Sequence, residues 1–172
     1  SMKSVKLYNV IFPIWFILFF PPFVLVTLLG NFIIDSIVLA VCFYAFRLKQ
    51  SDYNLKDFYK KSIWKVWIYG FMADLIGASV LLLFGITGDN IGIPYEITSA
   101  INFNAFKHPV AVIIILFATI LSSVFIFLFD NKISFRDAIK DKSLRFKLSL
   151  TVAIVTAPWT FIIPTQWFYH GL

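Results

Sequence analysis

From Leu7 to Ile34 the chain carries no Asp, Glu, Lys or Arg. Further uncharged runs cover Val66 to Ala73, Pro109 to Phe129, and Leu148 to the C-terminus. A helix needs about 20 apolar residues to cross the hydrocarbon core of a bilayer, and most of these runs supply that length. Composition agrees. Of 172 residues 60% are hydrophobic and only 14% charged, with a mean hydropathy of +0.86, whereas a soluble domain has roughly 25% charged residues. The chain belongs to the membrane class, and its expected fold is all-α.

Five transmembrane helices are predicted: Tyr8–Leu29, Phe32–Phe46, Val66–Ile86, Pro109–Phe129 and Leu148–Trp167. The first two are separated only by Gly30-Asn31, a turn dipeptide that tolerates positive φ. The second is short, and it extends through Arg47 and Leu48 if the arginine snorkels. Ser1 before Met2 reads as a scar of tag removal. The first run is too long for a signal peptide and lacks a small-residue cleavage site.

Fourteen of the fifteen basic residues fall before span one, between spans two and three, or between spans four and five. Only Lys107 lies elsewhere. Five spans put those three segments on one face, which the positive-inside rule makes cytoplasmic. The N-terminus, with Lys3 and Lys6, is then inside and the C-terminus outside, with Trp167 and Tyr169 in an interfacial aromatic belt. Abundant Phe, Ile, Lys and Asn suggest a bacterial source, hence the inner (plasma) membrane. The net charge of +6 needs no nucleic-acid partner. A basic rim beside anionic lipid head groups accounts for it, at about 1 kcal/mol per base.

Two polar segments share an outline: "NLKDFYKKS" from Asn54 and "SFRDAIKDKS" from Ser134. Each begins with an N-cap residue, and Asp57 and Asp137 follow at the third helical position, as in a capping box. Apolar residues recur at helical spacing, so each is expected to form a short amphipathic connector helix at the cytoplasmic surface. The pair also suggests a parallel duplication of a two-span hairpin.

Ionisable groups inside a span cost about 2.5–3.5 kcal/mol at its centre on insertion scales. Asp35 and Asp74 are the two expected there. Asp74 shares a helix face with Gly70, Gly77 and Ala78, and Ala73 with Gly77 makes a small-xxx-small pair; such faces permit close helix packing in lipid. Asp35 shares a face with Asn31. Counted along their spans, the two acids differ in depth by on the order of 10 Å, as two stations on one path. In span five, Pro158 and Pro164 remove backbone donors and free carbonyls, while Thr156, Thr160 and Thr165 offer hydroxyls. Pro13 and Pro21-Pro22 should bend or break span one. Carboxylates, freed carbonyls and hydroxyls are hard oxygen ligands suited to Na⁺, K⁺ or protons.

The outer loop, Thr87 to His108, contains a candidate helix starting at Pro94. Asp89, Glu96, His108 and the C-terminal His170 are the only candidates there for catalysis or metal ligation, and no ligand spacing links them. Lone Cys42 excludes an intrachain disulfide and a cysteine zinc cluster. No Gly-x-Ser-x-Gly, His-Glu-x-x-His or phosphate-binding glycine loop is present, and no cofactor or metal is expected. Three functions follow from the sequence. One is movement of a cation, a proton or a small cationic or amphipathic solute past Asp35, Asp74, Asn31, Thr156, Thr160 and Pro158, by a homo-oligomer or within a complex. The second is an accessory or regulatory subunit of a larger membrane partner. The third is a lipid-modifying enzyme, the weakest because no nucleophile, base or metal set clusters.

Overall fold

A computed structural model of the protein describes residues 13–169. Every regular element among these residues is helical: α1 (Pro21–Ala45), α2 (Leu55–Thr87), α3 (Tyr95–Phe103), α4 (Pro109–Phe129), α5 (Lys142–Val155) and α6 (Gln166–Tyr169), with short 3₁₀ turns between them. Three helices are long and apolar enough to cross a membrane: α1, α2 and α4.

The helices pack antiparallel in chain order. Trp67 Nε1 donates to the Leu28 carbonyl, and Ser36 bonds Tyr59 further along, so α1 runs against α2. Asp74 meets Ser122. Ser123 Oγ donates to the Ala153 carbonyl, and Phe127 packs edge-on against Phe146. Two apolar clusters fill the bundle. One joins Leu39, Phe58, Ile126, Phe135 and Val152. The other joins Trp15, Leu81, Ile101, Ile115 and Phe161 under α3.

The Gly30-Asn31 turn does not form. α1 is continuous through both residues, so residues 13–45 run in one direction, where the sequence suggested two antiparallel spans. Inside an apolar stretch a helix satisfies its own carbonyls and amides, and a turn would leave them bare. The break falls at Pro21-Pro22, where a bend was expected. Residues Ile14–Phe19 form a 3₁₀ turn, Phe20 is extended, and Pro21 opens α1. Two prolines at a helix start lack the very N–H groups that would be orphaned there. Nor does α1 extend through Leu48. Arg47 adopts φ 52°, a left-handed conformation that ends the helix.

The described chain therefore runs the length of the bundle four times: residues 13–45, α2, α4, and α5 through α6. It begins at the α3 end. There Ile14 N–H donates to Thr165 Oγ1, and Trp15 Nε1 reaches the Ile101 carbonyl. Lys3, Lys6, residues 8–12 of the first expected span, and His170 lie outside the described residues, as does the cytoplasmic start inferred from the two lysines. Lys107 stands at the α3 end. The other twelve described bases gather at the opposite end.

The two polar segments diverge. Asn54 caps α2, its side chain accepting from the Lys56 and Asp57 amides at 2.9 and 3.2 Å. The connector is the first part of α2 itself, not a separate helix. In the second copy Ser134 caps nothing. It closes a π-helical turn, Asp130–Ser134, and residues 135–138 form a turn. Asp141 takes the capping role, accepting from Leu144 N–H at 3.0 Å. The segments are nevertheless joined. Phe58 stacks on Phe135, and Lys65 Nζ lies 3.0 Å from Asp137 Oδ2. That hydrogen bond, with the lysine charge, holds the Asp137 carboxyl below the usual carboxylate range. The pair is exposed and contributes little energy. Asn54→Ala is expected to lower stability by about 1 kcal/mol, read as the midpoint of denaturant unfolding followed by circular dichroism in detergent.

Candidate functional site

Both broken segments lie at one level of the bundle, side by side. Pro158 has no N–H for the Ile154 carbonyl, and α5 stops at Val155. The carbonyls left bare find side-chain donors: Trp159 Nε1 bonds Ile154 at 2.8 Å and Ser123 Oγ bonds Ala153 at 2.7 Å. This is how irregular backbone persists in an apolar bundle. The chain then turns through Trp159–Ile162, beside Ile14–Phe19.

These irregular segments cannot fill space as a full helix would, and a cavity of about 450 Å³ opens between them and helices α1, α2 and α4. Asp35 and Asp74 both line it, together with Asn31, Thr156, Thr160 and Pro158. Residues expected on three separate spans thus share one chamber. Asp35 is buried, 7% exposed, and no hydrogen bond to its carboxylate is formed by the described residues. Asp74 is half-buried and accepts from Ser122 Oγ at 3.0 Å. Among the described residues no Lys, Arg or His lines the chamber. Its walls are otherwise apolar and aromatic, with Trp15, Phe71, Trp159 and Phe161.

The small-residue face separates into two roles. Ala73 and Ala78 are fully buried. A methyl group at Gly77 would stand 2.8 Å from the Ala118 carbonyl oxygen and 3.0 Å from Ser122 Cβ, so α4 closes onto α2 there. Gly70 is different. Beyond its chain neighbours and its own helix backbone, no atom of the described residues lies within 4 Å of where its Cβ would be, and it lines the chamber. Gly70 is therefore not a packing residue, as the sequence suggested, but open wall.

Sequence reasoning missed Thr27, Ser122 and the aromatic walls, whose helical spacing resembles that of any apolar face. It also missed Asp130. This side chain is 1% exposed at the end of α4 and stands in the π turn. Because it follows the uncharged run, it reads as a loop residue.

The outer-loop candidates have structural occupations. Asp89 Oδ1 accepts from Thr98 Oγ1 at 2.8 Å, fixing the start of α3. His108 Nδ1 accepts from Val110 N–H, capping α4. Glu96 is exposed. α3 itself packs on α2 and α4 and covers the bundle end with buried Ala100 and Ile101. Among the described residues no three His, Cys, Asp or Glu side chains come together as metal ligands. Comparison of the chain with protein-family models, with curated proteins and with solved structures finds no match.

Proposed function

We propose that this is a four-pass protein of a bacterial inner membrane that binds a small organic cation in the chamber between Asp35 and Asp74 and moves it across the bilayer. The carrying observation is Asp35: a buried carboxylate, without a hydrogen-bond partner among the described residues, facing a chamber that no described basic side chain lines. A buried charge left unpaired is costly, and a cation is the partner that offsets it.

Size selects among cations. The chamber holds roughly fifteen waters at ~30 Å³ each, which is far more than a dehydrated metal ion occupies and falls within the 300–1,000 Å³ range of small-molecule pockets. The aromatic walls favour an ammonium or quaternary ammonium head, each well-placed ring adding about 0.5–2 kcal/mol. The gathering of twelve described bases at one end supports placing that end in the cytoplasm, with anionic lipid head groups beside it. Four traverses require a long N-terminal run with its break at mid-depth, and the two broken segments, meeting at the chamber, are the elements that can rearrange to open it to either side.

The direct test is titration of the purified protein with tetraethylammonium, followed by quenching of tryptophan fluorescence. Saturable quenching that disappears in Asp35→Asn is expected. No saturable signal in the parent protein, or one unchanged in Asp35→Asn, would end the reading.

A docking role in a larger membrane assembly has its own support. The outer face of α1 presents Leu25, Val26, Leu29, Ile33, Ile37 and Val41, all more than half exposed. Lipid can cover such a face, and so can a second copy or a partner helix. Gentle-detergent purification decides: a stoichiometric partner supports the docking role, and a lone monomer removes it.

A further inference from the structure

A second space adjoins the chamber. A groove of about 270 Å³ runs along the outside of the bundle between α4 and α5. Ile120 and Val124 of α4 form one bank and Leu150 and Ile154 of α5 the other, each 43% exposed or more. Among the described residues no charged side chain lines it. The Thr119 and Ser123 hydroxyls along it are engaged, donating to the Ile115 and Ala153 carbonyls at 2.9 and 2.7 Å. The groove therefore offers an occupant little but hydrocarbon. α4 is long and apolar enough to cross a membrane, so the mouth of the groove faces acyl chains.

Ala157 and Trp159 line both the groove and the chamber. The partition there is one residue thick. It is also irregular backbone: α5 has ended at Val155, and the Trp159 N–H closes a tight turn on the Ala157 carbonyl at 2.7 Å. The register of α4 sets the two spaces at one depth. Ser122 donates to Asp74, which lines the chamber, and the next residue, Ser123, bonds Ala153 in the groove.

We infer that the cation taken by the chamber is amphipathic: its ammonium head lies between Asp35 and Asp74, and a single alkyl tail passes Ala157 and Trp159 into the groove. This rests on the chamber being a cation site and adds what the cation must carry. A methylene takes about the volume of a water, ~30 Å³, so the groove holds a tail of roughly nine carbons. Such a tail draws its owner into the bilayer, and the groove then gives a sideways route to the acids. Trp159 is the side chain that must turn aside. It is half exposed, and the bond from its indole N–H to the Ile154 carbonyl is the contact that this movement gives up.

The test is displacement of radiolabelled tetraethylammonium from the purified protein in detergent by decyltriethylammonium, the same head with one arm lengthened. Each methylene withdrawn from water strengthens binding about fourfold. Micelles compete for the tail, so a net gain of at least about tenfold is expected. Val124→Trp/Leu150→Trp fills the groove from both banks at exposed positions. It should keep the tetraethylammonium affinity and lose the decyl gain; partition into micelles is common to both proteins and cancels. A decyltriethylammonium with a diazirine at the tail end should label groove residues of the parent protein, and excess tetraethylammonium should suppress the labelling. Equal affinity for the two cations, or a decyl gain unaltered in the filled variant, overturns the inference and leaves the chamber as a cation site. Groove labelling that tetraethylammonium does not suppress also overturns it, because the tail would then lie there without its head in the chamber. Failure of tetraethylammonium to bind at all removes the cation chamber itself, and the inference with it.

Discussion

Asp74→Asn is expected to abolish organic-cation flux in proteoliposomes while the protein still folds. The two halves of this expectation rest on different atoms. Folding is preserved because Asn keeps an oxygen where Asp74 Oδ1 accepts from Ser122 Oγ, and because Asn fills nearly the same volume. Flux is lost because the amide carries no charge. A cation about 4 Å from a carboxylate gains about 4 kcal/mol at an effective dielectric of 20, close to a thousandfold in occupancy. Asp35→Asn should do the same, for the stronger reason that no described residue makes a hydrogen bond to Asp35 that would have to be replaced. Ser122→Ala separates charge from structure. If Asp74 serves only as a structural acceptor, this change should lower stability by about 1–3 kcal/mol and Asp74→Asn should leave flux intact. If Asp74 receives the cation, flux should survive Ser122→Ala and vanish in Asp74→Asn. Flux unchanged in both aspartate variants removes the transport reading.

The acids and the proline of that chamber were legible in the sequence for a specific reason. Charge and proline are conspicuous in an apolar chain, and each forces a local consequence: Asp35 and Asp74 need an interior place, and Pro158 and Pro21-Pro22 need a break. What the sequence could not convey is that the two breaks occur at the same level, which brings acids from different helices to one cavity. The expected Gly30-Asn31 turn fails for the same reason in reverse. Turn propensity is a statement about water, where a turn's carbonyls are solvated, and inside this bundle α1 keeps its ladder while Asn31 faces the chamber. The second polar segment misled because Ser134 and Asp137 have capping spacing. Burial of Ser134 against the bundle and the cap supplied by Asp141 are tertiary facts that no local pattern carries. Asp130 escaped for the same reason: a π turn has no periodicity signal of its own.

Gly70 and Gly77 offer the sharpest contrast, because the same substitution seven residues apart on α2 should have opposite outcomes. Gly77→Ala places a methyl 2.8 Å from a backbone oxygen of α4, 3.0 Å from Ser122 Cβ and 3.2 Å from the Phe161 ring. A backbone oxygen cannot rotate away, so α2 and α4 must part along their contact. Overpacking of this kind costs about 1–3 kcal/mol, and the gain in helix propensity of about 1 kcal/mol offsets only part of it. Gly77→Leu, with three more carbons in the same place, should prevent folding. Gly70→Ala meets no atom of the described residues within 4 Å beyond its own helix backbone and chain neighbours, so the propensity term stands alone and stability should rise by up to about 1 kcal/mol. The added methyl projects into the chamber, however. Gly70→Phe should therefore leave the fold intact, fill much of the space before Asp74, and block tetraethylammonium binding. Unfolding midpoints in detergent and tryptophan quenching read the two effects separately. A Gly70→Phe protein that folds and binds as the parent does would place the cation elsewhere. Equal destabilisation by Gly70→Ala and Gly77→Ala would mean that both glycines pack against α4, which would close the chamber on its α2 side.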